Sequence, residues 1–131
     1  MTSNKQQTAV EFVPYELALE LKQLGFDEPC LTYIYIGDTA HNYNVPCAVL
    51  PSKAENFNED DLCVSTPTYS QAFRFFREKF NCHHTINLNK KYVGIAYSSV
   101  VNFSIDEFNT YEEAELACLR KLIELVKNKE S

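Results

Sequence analysis

The chain has 131 residues, a length that suits one domain. Its residues are 45% apolar and 23% charged, with 3 glycines and 5 prolines, which excludes a largely disordered, collagen-like or low-complexity chain. With 12 basic residues against 18 acidic ones the net charge is -6, so the strongly basic footprint of a nucleic-acid-binding domain is absent.

Residues 1–11 carry one lysine and no apolar run, and read as a flexible N-terminal segment of a single α+β domain covering 1–131. A secretory signal would need an apolar stretch of about 7–15 residues there. A first helix is predicted from Pro14 to Leu24, with proline at the start and Leu17, Leu21 and Leu24 on one face beside Ala18. Gly25 stands where a left-handed residue ends a helix, and Phe26 is placed to fold back on the last turn. Leu31 to Ile36 is rich in β-branched and aromatic residues with both faces apolar or aromatic, the pattern of a central strand. Gly37-Asp38 marks a turn and His41 to Asn44 a polar loop. Val45 to Leu50 is a second strand whose Pro46 confines that end to a sheet edge or bulge.

Pro51 to Val64 reads as a long acidic loop holding Glu55, Glu59, Asp60 and Asp61, with Phe57 as its one aromatic. Loops of that length are functional or mobile, and Ser52 to Asp61 has few apolar anchors. Thr66-Pro67 is expected to open a second helix, threonine as N-cap, with Tyr69, Phe73, Phe76 and Phe80 forming one apolar stripe widened by Ala72. His84 to Leu88 and Tyr92 to Val101 are two strands joined at Asn89-Lys90-Lys91, and Phe103 to Phe108 adds an extended edge. Thr110-Tyr111-Glu112-Glu113 matches a capping box that starts a third helix running to about Lys127. Leu116, Leu119, Leu122, Ile123 and Val126 form its apolar face. Glu112, Glu113 and Glu115 at its start and Lys127 and Lys129 at its end suit the helix dipole.

The order α-β-β-α-β-β-(β)-α predicts an α+β fold with one antiparallel sheet of four to five strands and three helices. Pro14 and Pro67 each open a helix followed by a strand pair, a faint internal echo that the intervening residues do not sustain. No stretch approaches the roughly 20 apolar residues that span a bilayer, so a cytoplasmic protein with no membrane partner is expected.

Few residues promise chemistry. Cys82-His83-His84, with His41, contains zinc-ligand types, but neighbouring strand residues point to opposite faces and no second ligand pair has metal spacing. Cys30, Cys47, Cys63, Cys82 and Cys118 are odd in number, lack C-x-x-C spacing and sit in no nucleophile signature, so reduced and mostly buried thiols are expected. The acidic loop lacks the calcium-loop pattern with its central glycine. The three glycines are too far apart for a phosphate-binding loop. No catalytic residue, cofactor or metal is therefore assigned. Arg74, Arg77, Lys79, Lys90 and Lys91 with Tyr92 and Phe75 form a local basic patch, the slender argument for nucleic acid. Phe75 lies about 100° from Phe76 on the helix. A partly exposed phenylalanine between Arg74 and Arg77 has the composition of an interface anchor, so these three are the candidate partner-binding residues. Should Phe75 prove to be core, the sheet face carrying Tyr33, Tyr35 or Tyr97 is the next surface.

VPYELALELKQLGFDEPC from Val13, PTYSQAFRFFREKF from Pro67 and TYEEAELACLRKLIELVKNK from Thr110 resemble, in order and wording, short uncharacterised proteins encoded by gut Bacteroidales and their phages, crAss-like phages included. The three segments make up 52 of the 131 residues, and 31–66 and 81–109 carry no matching wording. The resemblance implies a phage or mobile-element source, action in the cytoplasm of a bacterial host, and an accessory protein that binds host or phage components. It assigns no functional residue. The expected function is a small non-enzymatic binding protein acting by protein–protein contact or self-association, in host takeover or anti-defence. The alternatives are a nucleic-acid-binding regulator or an enzyme of unrecognised type.

Overall fold

The computed structural model describes residues 11–36 and 47–130. The chain is α+β and divides into two compact units, Met1–Tyr69 and Ser70–Ser131. Among the described residues there are three helices and two three-stranded antiparallel sheets, in place of the one sheet of four to five strands expected. The additional strand comes from the end of the supposed acidic loop.

In the first unit, helix α1 spans Tyr15–Gln23, with Pro14 as an extended N-cap residue and Leu17, Ala18 and Leu21 buried. Gly25 adopts φ +95, open to glycine and strained for other residues. The Gly25 N–H bonds the Lys22 carbonyl at 3.1 Å and the Phe26 N–H bonds the Leu21 carbonyl at 3.0 Å. Together they make a Schellman motif, and Phe26 folds back into the core as its position after Gly25 implies.

Strand β1, Thr32–Tyr35, is central as expected, flanked by β2, Cys47–Ala48, and β3, Cys63–Ser65. Tyr33 pairs with Cys47 and Ser65, and Tyr35 with Cys63. All three β3 residues are buried, so no alternation marks it as a strand. The Thr66 hydroxyl is hydrogen-bonded to the Thr32 hydroxyl, which also donates to the Thr66 carbonyl at 2.8 Å. Thr66 is therefore a buried sheet-end residue and not the expected N-cap. The predicted turn at Gly37-Asp38, the loop from His41 to Asn44, Val45, Pro46 and the 1–10 part of the N-terminal segment lie outside the described residues.

Helix α2 spans Tyr69–Phe80, so nearly all of it belongs to the second unit. Strands β4, His83–Asn89, β5, Lys91–Tyr97, and β6, Asn102–Phe108, follow as a meander in that spatial order. The β4–β5 hairpin turns at Lys90, which has φ 66. The predicted extended edge is thus a full seven-residue strand. The first sheet has its first strand in the middle, so the proline echo does not extend to strand order.

Helix α3, Tyr111–Glu130, packs on all three strands of this sheet. Its capping box forms reciprocally. The Glu113 N–H donates to Thr110 Oγ1 at 3.1 Å, and the Thr110 N–H donates to Glu113 Oε1 at 3.2 Å. Ala114, Cys118, Leu119, Leu122, Ile123 and Val126 are buried. Leu116 is half-buried at the margin of that face. Among the described residues no helix is long and apolar enough to cross a membrane.

Candidate functional site

Phe75 is not the partly exposed residue that the arginine–phenylalanine surface requires. Phe75 is 2% exposed, its ring edge-on to those of Phe76 and Phe80 at 5.4 Å each. The reason is helical geometry. Ala72, Phe73, Phe75 and Phe76 are all buried, so the apolar arc of α2 spans roughly 160° and takes in Phe75 at its margin. Arg74 and Arg77 are exposed on the opposite side, and without the phenylalanine they present no aromatic anchor. Lys90 and Lys91 stand exposed at the β4–β5 turn.

His83 and His84 diverge as neighbours on a strand must. The His83 ring stacks on Tyr97 at 5.4 Å, with Nε2 3.1 Å from Asn81 Oδ1. The His84 ring stacks on Phe73 at 3.6 Å. Burial, reinforced by the Arg77 charge, lowers its pKa to about 4, so it is neutral at pH 7. His41 lies outside the described residues, and among the described residues no three His, Cys, Asp or Glu groups converge as metal ligands. All five cysteines are free thiols, four of them buried and Cys47 half-buried. Burial pushes Cys30 and Cys118 up to about 11, so both are protonated and poorly nucleophilic at pH 7.

A concave surface of the first unit lies where the sequence shows an open loop. Residues Pro51–Lys53 and Phe57–Glu59 form short 3₁₀ turns. Phe57 is buried and stacks on Tyr33 at 4.3 Å. Its N–H donates to Ser65 Oγ at 3.0 Å. Asn58 then joins three segments: its Oδ1 accepts from the Ser65 N–H at 2.8 Å and its Nδ2 donates to the Phe26 carbonyl at 3.0 Å. The Cys30 N–H donates to the Glu55 carbonyl at 2.9 Å. From α1, the Lys22 ammonium donates to the carbonyls of Cys63 at 2.7 Å and Asp60 at 3.0 Å. The segment expected to lack anchors is tied to α1, β1 and β3.

These contacts shape a groove of about 770 Å³. Tyr33 and Tyr35, two residues apart on β1, share one sheet face and form its floor, with Cys63 opposite Tyr35 and Phe57 bracing Tyr33. Glu55, Glu59, Asp60 and Asp61 form an exposed acidic rim. Burial raises the Tyr33 pKa, with the Cys47, Cys63 and Glu55 side chains adding to the rise, so its phenol stays neutral through the physiological range. Among the described residues no ion pair engages Glu55, Glu59 or Asp61. Charge is divided in the same sense: 10 acidic and 3 basic residues precede Ser70, whereas 8 acidic and 9 basic residues follow it, giving -7 and +1. The tyrosine pair on a strand and the acidic run were both visible in the sequence. Their convergence depends on contacts across up to 41 residues, which no local pattern signals.

In the second unit, Cys82, Val100, Val101, Phe103 and Leu125 line a mainly apolar cavity of about 310 Å³. Lys121 sits over the Phe103 ring at 4.3 Å. Comparison with protein-family models, with curated proteins and with solved structures gave no match.

Proposed function

We propose that this chain is a small non-enzymatic binding protein of phage or mobile-element type that acts by protein–protein contact in the bacterial cytoplasm, through the groove floored by Tyr33 and Tyr35. The observation that supports this reading is a concave, side-chain-braced surface that offers two tyrosines and an exposed polar rim. Tyrosine is favoured at interfaces because its ring covers apolar area while its hydroxyl bonds at the edge. The groove takes the place of the Arg74–Phe75–Arg77 surface.

A pull-down from Bacteroides lysate, with and without phage infection, tests it. The wild-type chain should retain a protein at fixed stoichiometry. A folded Glu59→Lys/Asp61→Lys variant should lose it, while Arg74→Ala should keep it. Retention of that protein by the groove variant would move the contact elsewhere, and retention of nothing by the wild type would remove the reading.

A further inference from the structure

We infer that the tyrosine-floored groove of the first unit takes a lysine- or arginine-rich segment of another protein, seated with its cationic side chains between the Tyr33 and Tyr35 rings and the Glu55, Glu59 and Asp61 carboxylates. The inference rests on the proposed binding function and names the partner's chemistry. It combines the shape of the surface with its charge. An apolar segment would desolvate exposed carboxylates with nothing to pair them, which is costly. An acidic segment, including a nucleic-acid backbone, would meet a unit of charge -7. A long basic side chain satisfies both parts of the groove, because its methylene stem covers a ring while its charged head reaches the rim. Lys22 does not occupy that role, since its ammonium is bound to the backbone carbonyls of Asp60 and Cys63. It holds the wall in place and leaves the rim carboxylates to an incoming cation. Phe57 keeps the Tyr33 ring fixed by stacking, so the floor is ordered before a partner arrives.

Fluorescence anisotropy with a labelled peptide of alternating lysine, arginine and serine tests the inference on the full chain. The basic peptide should bind saturably. Its glutamine counterpart, with lysine and arginine replaced, should bind about tenfold or more weakly, as should the basic peptide to Glu59→Gln/Asp61→Asn, whose circular dichroism should match wild type. Spermidine should compete poorly, because it has charge but no peptide backbone to fix its register. Absence of binding, equal binding of the glutamine peptide or of a glutamate peptide, indifference to the double variant, or spermidine as tight as the peptide would each overturn it. The two levels separate cleanly. A lysate partner whose contact segment contains no lysine or arginine leaves the binding function standing and removes the cationic partner, whereas a wild-type chain that retains no protein removes the binding function itself.

Discussion

Single residues carry separable parts of the stability. Thr110 caps α3 through its hydroxyl on the Glu113 N–H, and Thr110 is itself exposed, so truncation removes an acceptor without opening the core. Thr110→Ala should lower the unfolding free energy by about 1 kcal/mol, read as a lower urea midpoint at unchanged slope. His84 makes stability depend on pH. Its folded-state pKa is lowered from 6.5 to about 4 by burial and by Arg77. Below pH 6.5 the unfolded chain therefore takes up a proton that the folded chain refuses. The neutral ring's contribution is complete above that value and is lost as pH falls toward 4. Because the ring is partly solvated, the loss should be roughly 1–2 kcal/mol. Melts at pH 7, 6, 5 and 4 should show this decline in wild type and a shallower one in His84→Phe, which keeps the ring on Phe73. Equal slopes would assign the acid sensitivity to other groups.

At the scale of elements, α3 packs closely on the middle strand of its sheet. A β-carbon at Gly94 on β5 would stand 2.8 Å from Cys118 Sγ. Cys118 is fully buried, so its sulfur has little room to turn away. Gly94→Ala should cost about 1–3 kcal/mol as an overpacked site. Adding Cys118→Ala removes the obstructing atom, so the double variant should lose less than the sum of the single losses. Strict additivity in denaturant titrations would show that the strand shifts instead. The same scale shows what the sequence made legible. Each helix came with a period and, for α1 and α3, an end signal, namely Gly25 and the Thr110–Glu113 box, because those devices act within a few residues. The strands β1 and β5 were legible from their side chains, and β3 was not. Three consecutive buried residues show no alternation, and their pairing with β1 is fixed by partners some 30 residues away. The burial of Phe75 is not legible for a related reason: the α2 stripe reveals one packed direction, while the width of the buried arc depends on tertiary contacts. The acidic rim was visible as composition. Its place beside Tyr33 and Tyr35 is imposed by Lys22, Phe57 and Asn58, none of which carries a local signature of that role.

At the scale of the whole molecule, charge is distributed so that one unit holds all of the net negative charge, with its groove rim exposed to solvent. Exposed charges act over a Debye length, about 30 Å at 0.01 M salt and about 3 Å at 1 M. A basic segment approaching at low salt feels most of the unit's field, while at high salt it feels only the carboxylates it touches. Association is therefore the step that salt controls. Dissociation is governed by short-range contact with the tyrosine floor and changes less. Stopped-flow measurement with the labelled basic peptide should show the association rate falling by about tenfold or more between 0.02 M and 0.5 M salt, with a smaller change in the dissociation rate. Glu59→Gln/Asp61→Asn should flatten that dependence. Asp106→Asn/Glu107→Gln, on β6 of the other unit, should leave it nearly as in wild type, since both double variants remove two negative charges and differ only in where they remove them. If the two variants flatten the salt dependence in proportion to the charge removed, overall charge attracts the peptide and the groove has no special part. If neither does, the peptide is held by apolar contact and the acidic rim is not what recruits it.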